Sequence, residues 1–155
     1  MGPDGETMSV TDRLRGAVQV FEKEQMHYFT ITGKSKARNS KEFSYEAMLE
    51  AMDTLESKKV TAVMAMSDSV ALGASRALIE HGYRIGKDIA LIGYNNDDFC
   101  PYLTVPLTTV GQPKYELGER AAELLLNKIR DKMSKSNTKI ILQPKLMIRQ
   151  SCGES

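Results

Sequence analysis

The chain has 155 residues, 41% of them hydrophobic and 26% charged, with a formal net charge of +1. That is one domain's worth of ordinary globular composition, enough to bury a core, and the near-neutral balance excludes the strongly basic field of a nucleic-acid or membrane-surface binder. Cys100 and Cys152 make neither a metal spacing nor a disulfide framework, no apolar run approaches the roughly 20 residues of a membrane span, and no charged-then-apolar leader is visible, so a reduced, cytoplasmic setting is expected.

The opening "MGPDGETMSV" reads as a loop leading into a helix with no strand before it. Either the fold begins with a helix or the chain is a piece of something longer. Val10, Leu14, Ala17, Val18 and Phe21 fall at helical spacing, with Ser9 or Thr11 available as N-cap. "YFTIT" (Tyr28–Thr32) is β-branched and aromatic and reads as a strand ended by Gly33. "GKSKARNSKEF" is a polar loop, after which Tyr45, Met48, Met52 and Leu55 share one face of a second helix. Asn39 and Glu42 have the spacing of its capping box.

"VTAVMAM" (Val60–Met66) is a continuous apolar run short enough for a strand buried on both faces. "SDSVALGASRALIEHG" begins a helix at a Ser-Asp cap and ends it at Gly82. "IALIGY" is a further buried strand, and "YLTVPLTTV" is extended and broken by proline. Pro113 stands at a first helical position before "KYELGERAAELLLNKIRDKM", a long helix, and "KIILQPKLMIRQS" closes in extended segments. Strands separated by helices imply parallel strands and crossover connections, hence an α/β layered fold.

In open parallel sheets, ligands bind where the strands end and helix N-termini converge. Two strands end in polar clusters, Ser67-Asp68 and Asn95-Asn96-Asp97-Asp98. Amides and carboxylates there suit a hydroxylated small molecule. Helix capping and solvation are the stronger reading for Asp68, Asp97 and Asp98, and Asn95, first past its strand, stands evenly between the two. "GKS" at Gly33–Ser35 lacks the earlier glycine of a phosphate loop, since Tyr28 holds that place. There is no GxGxxG and no GxSxG elbow. His27 and His81 stand alone, and the nine methionines read as packing. Arg13 lies early in the first helix, where a cation opposes the dipole, and is slightly unfavourable without a partner.

From "VTAVMAMSDSVALGASRAL" through "GYRIGKDIALIGY", "PLTTVGQP" and "YELGERAAELLL" to "LMIRQS", the chain resembles the C-terminal part of the ligand-sensing region of LacI/GalR-type (lactose/galactose repressor) transcriptional regulators. Each motif alone is weak; five in order, over about Met8 to Ser151, are specific. The resemblance implies a three-layer αβα sandwich with a mainly parallel sheet, the C-terminal subdomain of a periplasmic-binding-protein-like (type I) fold. That subdomain would comprise about 5–110 and 138–151, with the helix about 113–133 belonging to an absent N-terminal subdomain. Its apolar face (Leu117, Ala121, Leu124, Leu125) would then either fold back on its own sheet or pack against another copy.

The same resemblance implies a non-enzymatic effector-binding module, requiring no cofactor and no metal, whose effector is a sugar or nucleobase-like molecule. It would act as a homodimer, reach DNA only through an absent headpiece, and have no membrane partner. It places Arg13 at the family's effector-binding arginine, Ser67 at a ligand-facing position, Asn95 where the family usually has Asp, and Asn39 where it often has a stacking aromatic. Asp68 joins them beside Ser67 as an effector-binding expectation. The competing readings are a sugar-binding protein of a transport system and a small-molecule enzyme using Asp97 or Asp98 as acid/base.

Overall fold

The computed structural model describes residues 8–32, 39–130 and 139–153. The four helices are α1 (Met8–Lys23), α2 (Ser40–Ser57), α3 (Asp68–Glu80) and α4 (Lys114–Arg130). The strands are β1 (Ala62–Met64), β2 (Ala90–Asn95), β3 (Thr108–Gly111) and β4 (Lys145–Met147). They form one sheet in the order β1-β2-β3-β4, with β1 and β3 parallel to β2 and β4 antiparallel to β3. This is a mainly parallel α/β sheet flanked by helices. No helix among the described residues is long and apolar enough to cross a membrane.

Side chains alternate between the two faces of a strand, and the register sorts them. Val63, Leu91, Gly93 and Thr109 share one face. There Leu91 joins Met48, Met52 and Leu55 of α2 and Ala71, Ala74, Ala77 and Leu78 of α3 in the core. Met64, Ile92, Tyr94 and Val110 share the other face, which is only partly covered. α1 meets this face through Arg13, whose guanidinium lies 3.9 Å from the Tyr94 ring centroid.

Local chemistry explains the helix limits. Ser67 caps α3 by accepting from Val70 N at 3.3 Å. The helix closes with Gly82 at φ 85°, where Gly82 N donates to Ile79 O and Tyr83 N to Leu78 O, a pattern that needs a left-handed residue. α2 and α3 cross closely because Gly73 has no side chain: a Cβ there would meet Lys41 O at 2.0 Å and Ser44 Oγ at 2.1 Å. After α3, the Asp88 carboxylate takes both the backbone N and Nε of Arg84, each at 2.8 Å, and clamps the turn into β2.

Several expectations are corrected. "YFTIT" forms no strand: Met26–Thr32 carries no regular structure. Its composition favours a pleated surface, but a ladder needs a backbone partner in register. Instead Ile31 packs against the core, and Phe29 lies 6.0 Å from Lys58 Nζ. α1 begins at Met8, so Ser9 and Thr11 lie inside it rather than capping it. Pro113 precedes α4 by one residue. α4 does not fold back on its sheet, for none of its residues is buried and Leu125 is 61% exposed. It follows the end of β3, where Lys114 pairs with Asp97 past the tip of β2 and Leu117 lines the hollow at the strand ends. Gly33–Arg38 and 131–138, which carry part of the expected polar loop and the end of the long helix, lie outside the described residues.

Two outcomes follow from this packing. Gly73→Ala forces α2 and α3 apart and is expected to lower stability by about 1–3 kcal/mol in urea unfolding; an unchanged midpoint would contradict the close crossing. The hydrogen bonds from Arg84 pull the Asp88 carboxyl down from 3.8 to about 2. A carboxyl depressed in the fold stabilises above its unfolded value, and that contribution is lost as pH falls through the folded one. An NMR titration should therefore find the Asp88 midpoint near 2, returning to the ordinary carboxylate range in Arg84→Ala.

Candidate functional site

The parallel strands point their carboxyl ends at one corner of the molecule. There the C-terminus of β2, the residue after β3 and the first turns of α1 meet around an open hollow of about 540 Å³. Arg13, Tyr94, Gln112, Leu117 and Pro144 contribute to its lining, together with Asp12. Arg13 Nη1 donates to Met66 O at 2.7 Å, and Nη2 reaches Asn95 Oδ1 at 3.5 Å. Gln112 Nε2 donates to the same Asn95 oxygen at 3.2 Å. The unfavourable dipole position of Arg13 is thus offset by a carbonyl, an amide oxygen and an aromatic face.

Asn95 owes its position to the backbone. Regular alternation would send it to the α3 side with Gly93. Its φ of 119°, followed by 52° at Asn96, breaks the alternation at the strand tip, and Oδ1 meets the guanidinium that covers Tyr94. Such sparsely populated conformations cost about 1–3 kcal/mol each and persist only where surrounding contacts hold them. Here Asn96 N donates to Thr109 Oγ1 at 3.2 Å, and Arg149 Nη2 donates to Asn96 Oδ1 at 2.9 Å. Arg149 is itself fixed by donating through Nη1 to Leu107 O at 2.7 Å.

Asp68 takes the opposite role from the one expected of it. It is fully buried, its Oδ1 accepting from Thr109 Oγ1 at 2.6 Å and its Oδ2 from Asp97 N at 2.7 Å. Gly93 makes room for it, since a Cβ there would meet Asp68 Oδ1 at 2.2 Å. With no exposed surface, Asp68 cannot touch an effector; it holds the strand-tip loop from beneath. Cys100 is buried beside it, and burial first, then the Asp68 carboxylate, push the thiol up to about 12. It remains a protonated thiol and no nucleophile.

The remaining residues divide clearly. Ser67 lies next to Met66, the anchor of Arg13, but its own oxygen caps α3. Asn39 caps α2, accepting from Lys41 N at 3.1 Å and Glu42 N at 3.0 Å, and has no bond to Arg13 or Asn95. The structure therefore joins Arg13 with Asn95 and sets Ser67 nearby, while Asn39 is used within its own helix. Asp97 forms an ion pair with Lys114 at 3.2 Å. His81 sits at the end of α3 with Nδ1 3.0 Å from Ala77 O. No group of three or more metal-ligating side chains occurs among the described residues. Tyr94, Gln112, Thr109 and Arg149 were not singled out from the sequence. The signal available for them was that "GYNN" and "TTVGQP" each end a strand; that the strands are neighbours is a fact of register.

The chain matches the periplasmic binding protein-like domain family over residues 1–152. It is 36% identical over 111 residues to the ribose operon repressor of Haemophilus influenzae, covering 70% of this chain and 33% of that protein. It is 43% identical over 110 residues to the HTH-type transcriptional repressor PurR of Mannheimia succiniciproducens, covering 71% and 32%. Among solved structures, a LacI family transcriptional regulator from Enterococcus faecium with bound ribose superposes with a TM-score of 0.77 at 31% identity, over 92% of this chain and 51% of that one. A LacI family regulatory protein from Chloroflexus aggregans gives 0.78 at 32% identity, over 91% and 50%. The chain thus spans about a third of the length of the curated relatives it matches.

Asp68→Asn turns an amide donor towards one of the two donors that the carboxylate now accepts. It is expected to destabilise the fold by about 1–3 kcal/mol in chemical denaturation. A surface ligand contact would instead leave stability unchanged.

Proposed function

The chain belongs to the periplasmic binding protein-like domain family, in the form carried by LacI/GalR-type regulators, and on that premise we propose that it is the effector-sensing part of a DNA-binding transcriptional repressor. The observation that carries this reading is Arg13 anchored on Met66 O beside Asn95, at the carboxyl end of β2, facing an open hollow. A small polar effector, sugar or nucleobase-like, takes hydrogen bonds from Arg13 and Asn95, with Gln112 beside them and the Ser67 backbone turn behind. The two curated relatives above are repressors. The buried thiol of Cys100 and the ion-paired Asp97 favour a binding role for this chain as well.

The residues of about 5–110 and 138–151 form one jaw of the site in this reading, and α4 belongs to the other. The absence of any buried residue on α4, with Leu117, Leu125, Leu126 and Ile129 exposed, supports that assignment. Burying a large aliphatic side chain contributes about 1.5–3 kcal/mol, so this stripe calls for a companion lobe. Effector held between two jaws favours one relative orientation, and a DNA headpiece reads that orientation as a change in operator affinity. The working form is a homodimer in the cytoplasm, as two operator half-sites demand.

Calorimetry against sugars and nucleobases tests the reading on a two-lobed form of the protein. Arg13→Ala is expected to weaken effector binding by about tenfold or more, the scale of a lost charge-assisted hydrogen bond. Full affinity in that variant would remove Arg13 from the site.

A further inference from the structure

We propose that Asp12 is the specificity-determining acceptor of this site and that the effector it selects is a neutral molecule with adjacent hydroxyl groups; the inference rests on the effector-binding reading above. Positions 12, 13 and 16 share one face of α1, and Asp12, Arg13 and Gly16 all line the hollow. Arg13 only donates, and an ionised Asp12 only accepts. A hydroxyl does both, so neighbouring hydroxyls can bond the two side chains at once.

Acceptors are otherwise scarce at this corner. Asn95 Oδ1 already accepts from Arg13 at 3.5 Å and from Gln112 Nε2 at 3.2 Å. Asp68 is fully buried, and Asp97 pairs with Lys114 at 3.2 Å. Among the described residues that line the hollow, Asp12 alone carries a carboxylate, and Gln112 adds a neutral amide oxygen. Asp12 Oδ1 accepts from Arg15 Nη2 at 2.7 Å, and Oδ2 has no partner among the described residues. That ion pair joins two exposed side chains three residues apart, where such a pair contributes little, so a ligand can share or displace it. Two adjacent hydroxyls match the two oxygens of a carboxylate through charge-assisted hydrogen bonds.

Gly16 marks the same face independently. A glycine inside a helix is destabilising relative to alanine. A Cβ at Gly16 would meet nothing within 4 Å, so packing among the described residues gives no reason for the missing side chain. Helical side chains lean towards the N-terminus, and one at position 16 would lean over the turn that carries Asp12 and Arg13. Its absence leaves that turn open for a ligand to lie against the helix.

The test follows backbone amide signals of the 155-residue chain by NMR during titration with ribose, glucose, galactose and adenine. At least one of the sugars should move the signals of residues 12–16 saturably. Asp12→Asn should weaken that sugar by about tenfold or more, the scale of a lost charge-assisted hydrogen bond. Arg15→Ala, which removes the ion pair but keeps the carboxylate, should leave its affinity unchanged. Gly16→Ala should raise the urea midpoint and still weaken the sugar, a combination that a purely structural glycine would not give. Asp12→Asn binding like the wild type, while Arg13→Ala loses affinity, would overturn this inference and leave the effector reading intact. Arg15→Ala losing as much as Asp12→Asn would overturn it too, because Asp12 would then act through its ion pair. Adenine, which has no hydroxyl, binding with the same dependence on Asp12 would also overturn it. Silence from all four compounds would remove the effector reading and this inference with it.

Discussion

The buried carboxylate of Asp68 is the contact on which the rest of the site depends. It begins α3, lies under β2 where Gly93 leaves room, and accepts from Thr109 on β3 and from the backbone of Asp97. Three elements distant in sequence are thereby tied at one point. A buried polar group without partners would cost several kcal/mol; with both oxygens satisfied, the same burial becomes a constraint with a single geometry. The strand-tip loop is consequently held in place before any effector arrives.

That anchoring makes room for strain above it. Asn95 and Asn96 hold positive φ angles that a free loop would relax, and Thr109 and Arg149 keep them there. The result is an amide turned out of the alternation of β2 towards Arg13. Arg13, in turn, is drawn onto Tyr94 and Met66 from a helix that otherwise touches the sheet lightly. A binding surface whose groups are fixed in advance loses less entropy when it is filled. The closing segment contributes from a distance, because Ser151 Oγ donates to Leu91 O at 2.6 Å and accepts from Thr108 N at 2.8 Å, seating the chain that carries Arg149.

The apolar surface is distributed very unevenly. α2 and α3 share a dense core with one face of the sheet, and Leu55, Leu78 and Leu91 are almost wholly buried. α4, the segment leading to β4 and β4 itself present Leu125, Ile129, Ile140, Ile141 and Leu146 to solvent. Large exposed apolar patches mark interaction sites. Such a division agrees with the proposal that α4 belongs to a second jaw.

Much of the local architecture was legible in the sequence. The period of Met48, Met52 and Leu55, the Ser67 cap and the Gly82 stop mark α2 and α3, because hydrophobic period and capping act within a few residues. The apolar runs ending in polar residues likewise marked β1, β2 and the corner that holds the candidate site, and ordered motifs identified the family. "YFTIT" misled because β-propensity describes a fit to a pleated surface and says nothing about whether a partner backbone is present. What tertiary structure alone decided was the direction in which each polar residue at the strand tips faces. Asp68 and Asn95 both end apolar runs, yet one turns inward to Thr109 and the other outward to Arg13. Those partners lie 41 and 82 positions away in the chain, and only strand register and one backbone angle bring them within reach.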